Sequence, residues 1–332
     1  MEHGGDLGLA RTMFPAAPEP FVDLSTGINP FAYPMPPLAS EIFARLPESA
    51  QIARLAAIAA KAYGAPSADH VVVAAGTQSL LGPVFSLVPA GAAAILSPTY
   101  AEHARVATLV GHQVAETAEF DELKRSRLAI VVNPNNPDGS LVSRQTLLSL
   151  ADQLRTDRGL LVVDEAFMDV GPQDTSLVPQ VGRGAIVVLR SFGKFFGLAG
   201  VRLGFALAAP EMADRLRSLL GPWVVSGPAI AAGASALANR DWIDTTRVHL
   251  ATAAMRLDAL LHAARLQVMG GTSLFRTVRT PDAALVFFRL GQAGILVRRF
   301  SDRPDLLRFG LPGEEPAWER LRAALLYDNH GP

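Results

Sequence analysis

Short apolar runs recur through the middle of the chain and fix most of what it can become. They are VVVAA at Val71, AAAIL at Ala92, LAIVV at Leu128, LLVVD at Leu160, AIVVL at Ala185 and RLGFALA at Arg202. Each is too short for a helix and is bounded by turn residues, with helix-patterned stretches between. Such runs read as strands buried on both faces of a mainly parallel sheet, covered by helices to give a three-layer α/β domain. The segment SRQTLLSLADQLRTDRG supplies Ser143 as a helix cap, an apolar stripe, and Gly159 as a stop. After Asp241 the texture changes to one long helical segment, then short strands and helices ending in AWERLRAALLY. The expected organisation is an N-terminal arm and active-site loop over 1–39, a large domain over 40–234, and a smaller α+β domain over 235–332 to which the arm belongs. The proline-rich stretch from Pro15 to Pro37 is expected to be irregular, and loops of that length are often functional.

Composition narrows the class of partner. A formal net charge of −1 on 332 residues, 49% of them hydrophobic, suits a globular protein with small ligands. Neither a basic excess for nucleic acid nor a basic amphipathic segment for a membrane surface is present. Cysteine is absent, so disulfides and thiolate metal sites are excluded. The first residues lack a basic then apolar leader, so a cytoplasmic location is expected. The uncharged run from Gly221 to Asn239 contains prolines, glycines and serines, which point to a closely packed buried helix rather than a membrane span. His70, His103, His112, His249, His262 and His330 form no metal-ligand pair and read as surface or core residues.

Ligands in an open α/β sheet bind beyond the carboxyl ends of its strands, so the polar residues there carry the chemistry. After the Val71 run come Gly76, Thr77 and Gln78, a glycine turn and a helix start suited to phosphate, or simply to making the turn. After the Leu128 run comes NPNNPDG. This is either a plain tight turn or a rigid one that aims the amides of Asn133 and Asn136 at a ligand. Asp164 ends the Leu160 run, as a helix cap, a structural ion pair, or the counter-charge to a protonated ligand nitrogen. After the Ala185 run come Arg190, Ser191 and Lys194, then Arg202. The chain has only three lysines, Lys61, Lys124 and Lys194, and the last sits in the apolar, glycine-rich SFGKFFGLAGVRLG. An amine for a Schiff base, an acid for a pyridinium and a phosphate cradle together are what pyridoxal 5'-phosphate requires.

The series GTQ, PTY, NPNNPDG, DEAF and SFGKFFGLAGVRLG resembles the fold-type-I, aminotransferase-class pyridoxal-phosphate proteins over nearly the whole chain. The resemblance implies that Lys194 is the Schiff-base lysine and Asp164 the partner of the pyridine nitrogen. It puts Asn136 on the phenolic oxygen, Tyr100 on the ring, and Thr77, Gln78, Ser191 and Arg202 on the phosphate, with Gly76 in the turn. Arg308, in LLRFGLPG, matches an arginine that grips an acidic group of the substrate. Two positions depart from the pattern. Phe167 stands where many relatives carry a tyrosine that bonds the phenolic oxygen. Leu46 stands where histidinol-phosphate aminotransferases carry a tyrosine that reaches the neighbouring subunit.

The ends of the chain narrow the reaction. EHGGDL, DLSTGINPFAYP and LRFGLPG resemble the threonine-phosphate decarboxylases of cobalamin biosynthesis, which share the histidinol-phosphate aminotransferase scaffold. That resemblance implies decarboxylation of L-threonine O-3-phosphate; the alternative is amino transfer to or from histidinol phosphate or a related amino acid. Which bond breaks depends on which substituent of Cα is held perpendicular to the ring. The residues that grip the substrate's anionic groups could therefore change the reaction without changing the cofactor site. His3 and Gly4 in the HGG loop, Gly27, Asn29, Arg298 and Arg308 are the candidate substrate residues. A homodimer is implied by the family, and a ligand-sensing or DNA-binding role is not supported, because the chain has no spare segment for such a module.

Overall fold

Twelve strands in two sheets carry the fold of the described residues, 4–326 of a computed structural model. In chain order they are β1 (Val22–Leu24), β2 (Val71–Ala74), β3 (Ala92–Leu96), β4 (Gln113–Thr117), β5 (Leu128–Val132), β6 (Leu160–Asp164), β7 (Ile186–Ser191), β8 (Gly204–Ala208), β9 (Gln267–Thr272), β10 (Phe275–Arg279), β11 (Ile295–Arg299) and β12 (Leu306–Gly310). The chain divides into a larger unit, Ala32–Asn136 with Ser140–Ile243, and a smaller unit, Met1–Phe31 with Pro137–Gly139 and Asp244–Pro332.

The larger unit holds the seven-stranded sheet, in the order β2-β8-β7-β6-β5-β3-β4. All pairings from β7 through β4 are parallel, and β8 alone runs against its neighbours β2 and β7. Each of the six apolar runs is a strand, and β5, β6 and β8 are buried at every residue. One face packs Val72, Ile95, Ile130, Val162, Val187 and Ala206 under helices Leu81–Phe85, Glu102–Leu109 and Pro210–Leu220. Alternation along the strands turns their neighbours to the other face, where Phe205 meets the Tyr63 ring at 5.5 Å. This is the α/β, mainly parallel, three-layer arrangement that the runs require.

Sequence periodicity misses β4, and the reason is its place. It is an edge strand with no fully buried residue, so its sequence, QVAET, has no need of an apolar run. The helix after Ser143 forms as read, with Ser143 Oγ accepting from the Thr146 N–H, but Gly159 is not its stop. The helix ends at Thr156, and Arg158 takes the left-handed turn at φ 55°. Gly159 is needed for room instead, because a Cβ there would lie 2.9 Å from the Arg127 carbonyl oxygen.

The smaller unit is built on the five-stranded sheet, in the order β1-β11-β12-β10-β9, with helices Ala283–Gln292 and Glu315–Leu326. The Pro15–Pro37 stretch is not wholly irregular: its residues 22–24 form β1, parallel to β11. Phe14 anchors the preceding segment against Phe287, with ring centroids 5.9 Å apart. No helix of the described residues is long and apolar enough to cross a membrane.

The Gly221–Asn239 run contains the helix Gly227–Ala238, and its small residues admit close approach. A Cβ at Gly233 would lie 2.6 Å from Leu203 Cδ2 and 2.9 Å from Leu55 Cδ1. Gly233→Val should therefore cost about 1–3 kcal/mol by overpacking, even though glycine is the poorer helix former. Urea denaturation followed by circular dichroism measures it. An unchanged midpoint would show that the helix Gly227–Ala238 does not depend on a bare backbone here.

Candidate active site

Strand direction assembles the site. With β8 the only reversed strand, the carboxyl ends of β2, β3, β5, β6 and β7 and the start of β8 all lie along one edge of the larger sheet. That edge collects Gly76, Thr77 and Gln78, then Tyr100, Asn136, Asp164, Phe167, Ser191, Lys194 and Arg202.

Asp164 closes β6 in the middle of the sheet and is 6% exposed. One oxygen accepts the Ala166 N–H at 3.0 Å, and the other lies 3.0 Å from His103 Nε2. The sequence places His103 among core or surface residues; it is a fully buried partner of the central carboxylate. Its position one helix turn from Tyr100 is the available signal, since a polar residue there faces the strand ends. The Tyr100 ring stands edge-on to His103 at 5.6 Å. Burial, followed by the charges of Glu102 and Asp164, pushes the Tyr100 hydroxyl above the usual phenol range, so Tyr100 stays neutral.

The Gln78 side chain is engaged by two neighbours. Its carboxamide donates to Glu102 Oε2 at 2.6 Å and accepts from the Tyr100 hydroxyl at 3.3 Å. Glu102 is itself held by Arg105 at 2.5 Å. The turn before Gln78 is cramped: Gly76 has φ 85°, and a Cβ there would lie 2.7 Å from Arg202 Nη2. Gly204 pairs with both Ala74 and Ser191, and a Cβ on it would lie 2.6 Å from the Thr77 nitrogen. Bare backbone at Gly76 and Gly204 thus lets Thr77, Ser191 and Arg202 share one small space.

Lys194 follows β7 in the turn Phe192–Phe195, half-buried between buried Gly193 and Phe195. Its Nζ lies 5.4 Å from the centre of the Phe167 ring. The two asparagines of the NPNNPDG turn separate in role. Asn133 faces backbone, donating to the Val142 carbonyl at 3.1 Å and accepting from the Val142 N–H at 2.9 Å, so it braces the turn. Asn136 is half-buried near the tip.

Directly behind these residues lies a second charge cluster. Glu165 and Arg190, next in sequence to Asp164 and Ser191, turn inward. Arg190 binds Glu165 at 3.1 Å and Asp169 at 2.7 Å, with its guanidinium 4.4 Å over the Tyr63 ring. Burial pulls Arg190 down, but Asp169 and Glu165 outweigh it and the net shift is upward, so it stays charged. Burial raises the Glu165 carboxyl despite Arg190 and the bonds from Ser176 and Leu177.

The predicted substrate residues other than His3, which lies outside the described residues, belong to the smaller unit. Arg298 and Arg308 face each other across β11 and β12. Burial, then repulsion from Arg298, pushes Arg308 down to about 10, with Asp23 opposing. Arg308 therefore remains cationic at neutral pH, and an anion would offset the repulsion from Arg298. Arg308 Nη2 donates to the Ser25 carbonyl at 2.7 Å, and Ser25 Oγ accepts from the Gly5 N–H at 2.8 Å. A Cβ on Gly4 would lie 2.5 Å from that same carbonyl oxygen. The first glycines and Arg308 therefore meet on Ser25. Gly27 is buried with φ 64°, and Asn29, 2% exposed, accepts the Phe31 N–H at 2.8 Å. Leu46, by contrast, is 64% exposed.

The larger-unit site fits pyridoxal phosphate. A buried carboxylate braced by a histidine suits a pyridinium, a lysine amine lies one turn past the neighbouring strand, and glycines clear space beside Thr77, Ser191 and Arg202. The aminotransferase class I and II family model matches residues 38–321. Threonine-phosphate decarboxylase of Pseudomonas aeruginosa is 41% identical, covering 98% of this chain and 97% of that one. The enzyme of the same name from a Sinorhizobium species is 40% identical, covering 97% of each. Among solved structures, histidinol-phosphate aminotransferase from Sinorhizobium meliloti, in complex with pyridoxal 5'-phosphate, superposes with a TM-score of 0.83 over 96% of this chain and 93% of that one, at 20% identity.

Removing one partner of a buried ion pair leaves the other charge uncompensated. Arg190→Met should destabilise the protein by about 3–5 kcal/mol, because Glu165 and Asp169 would lose their shared cation. Thermal denaturation without added cofactor tests this. An unchanged midpoint would show that the two carboxylates do not need Arg190.

Proposed function

Because the chain belongs to the aminotransferase class I and II family, we infer that it is a pyridoxal-phosphate-dependent carboxy-lyase. Its proposed reaction converts L-threonine O-3-phosphate to (R)-1-amino-2-propanol O-2-phosphate and carbon dioxide, a step of cobalamin biosynthesis. The observation that carries this reading is the 41% identity to a threonine-phosphate decarboxylase along essentially the whole of both chains.

When bound, pyridoxal phosphate supplies an electron sink conjugated to the substrate's amino nitrogen. Lys194 would supply the amine that holds the cofactor's aldehyde group. Asp164, oriented by His103 and the Ala166 N–H, keeps a proton on the pyridine nitrogen. Asn136 donates to the phenolic oxygen and Tyr100 covers the ring. Gly76, the Thr77 and Gln78 amides, Ser191 and Arg202 hold the phosphate, while Phe167 packs beside the lysine. Arg298, Arg308, Gly27, Asn29 and the His3–Gly4 segment grip the substrate's carboxylate and phosphate, and so select which Cα bond is presented for cleavage. Lys194 is also the amine that would carry a proton at the substrate's Cα.

Mixing the protein with pyridoxal phosphate and L-threonine O-3-phosphate should release one carbon dioxide per amino-alcohol phosphate formed, with no keto acid required. Lys194→Ala should lower turnover by about a thousandfold or more. Absence of carbon dioxide, together with 2-oxoglutarate-dependent amino transfer from histidinol phosphate, would replace this reading with the aminotransferase one.

The proposed working form is a cytoplasmic homodimer, with the domains divided as 1–39, 40–234 and 235–332. Phe43, Leu46 and Trp223 are among the large apolar side chains of the larger unit that are more than half exposed, which suits burial against a second copy. Sedimentation equilibrium should give a mass of two chains; a single-chain mass at micromolar concentration would overturn it.

A further inference from the structure

The boundary between the two units falls inside the asparagine–proline turn. Asn136 belongs to the larger unit, while the next three residues, Pro137–Gly139, belong to the smaller. The base of the turn is closed by the Asn135 N–H on the Ser140 carbonyl at 2.9 Å and by the Asn133 bracket on Val142. The tip is held by other means. Thr277 Oγ1, on β10 and 1% exposed, donates to the Pro137 carbonyl. Gly139 has φ 73° and lies so close to Gly271 that any Cβ would overlap its backbone. Gly270 approaches the Asp138 carbonyl just as closely. A register shift between Thr277 and Val278 makes this fit: Thr277 pairs with Gly270 but Val278 with Val268, so Met269 is an extra residue in β9. Bulges of this kind re-aim the residues beside them.

A donor must be held within about half an ångström of its working position to keep a short hydrogen bond. Asn136 is joined by its own peptide to Pro137, whose ring fixes one torsion and restricts the residue before it. We infer that Thr277, with the Gly270–Gly271 bulge, is a positioning residue for Asn136: by clasping Pro137–Gly139 it sets where the Asn136 amide points. The inference rests on the reading of Asn136 as the partner of the cofactor's phenolic oxygen. It predicts that a hydroxyl in the smaller unit tunes the electronic state of the bound cofactor.

The test is the pH midpoint of the visible absorption change of the pyridoxal-phosphate-loaded protein, with cofactor affinity measured alongside. An amide bond to the phenolic oxygen favours its anion and makes the adjoining nitrogen a weaker base, so losing the bond raises the midpoint. Thr277→Val should raise it by about 0.5–1 pH unit and weaken cofactor binding about three- to tenfold. Thr277→Ser, which keeps the hydroxyl, should behave as wild type. Asn136→Ala should shift the midpoint at least as far, and adding Thr277→Val to it should shift it no further. If Thr277→Val does not accumulate as folded protein, Gly270→Ala pushes on the same tip and takes its place. A wild-type midpoint in Thr277→Val, or an undiminished shift in the Asn136→Ala background, overturns the inference. Loss of the inference alone leaves wild-type decarboxylation intact; a wild-type protein with no visible band overturns the cofactor assignment and this inference with it.

Discussion

Two carboxylates follow one another where β6 leaves the sheet, and burying them both is the condition around which the larger unit is arranged. Neither can remain charged there without partners, because desolvation of an unmatched carboxylate costs several kcal/mol. Alternation along the chain sends them apart. Asp164 faces the strand ends, where His103 and the Ala166 N–H take its two oxygens. Glu165 faces the interior, where Arg190, Ser176 and the Leu177 N–H surround it. The same alternation separates Arg190 from Ser191 on the next strand. Each adjacent pair thus contributes one residue to the site and one to the brace behind it.

The larger unit is legible in the sequence because its strands are buried on both faces. A strand in that position must be apolar throughout, and the resulting runs stand out against the helices between them. The polar residues that interrupt the pattern at each strand end can then be collected by reading along the chain, since one edge of a parallel sheet is where such residues gather. The strand that escapes notice, β4, is the one released from this demand by its edge position.

Side-chain roles are legible only where the residue has one use. Lys194 and Asp164 have little structural purpose in an apolar setting, so their presence is informative. Asn133 and Asn136 are chemically identical, and only the fold shows that Asn133 faces the Val142 backbone. His103 carries only its place one turn from Tyr100 as a sign, and its partner, 61 residues away along the chain, is not readable from local pattern. Gln78 reads as a phosphate ligand from its place in a turn, and only the fold shows that its carboxamide donates to Glu102, 24 residues on. Pairings over such distances are set by strand order, which local pattern does not encode.

The cofactor residues and the predicted substrate residues fall in different compact units, and this bears on how one scaffold can support more than one reaction. The residues proposed to touch the cofactor lie along the edge of one sheet. Of the residues proposed to meet the substrate's anions, Arg298 and Arg308 sit on another sheet, where Arg298 pushes the Arg308 pKa down and Asp23 pushes it up. On the proposed roles, a change in the anion-gripping set would alter which bond at Cα is presented without replacing a residue that touches the cofactor. The Ser25 carbonyl adds a further control, since it binds Arg308 on one side and is crowded by Gly4 on the other. Any side chain at Gly4 would push on the acceptor that orients Arg308, so the glycine near the start of the chain constrains an arginine some three hundred residues later.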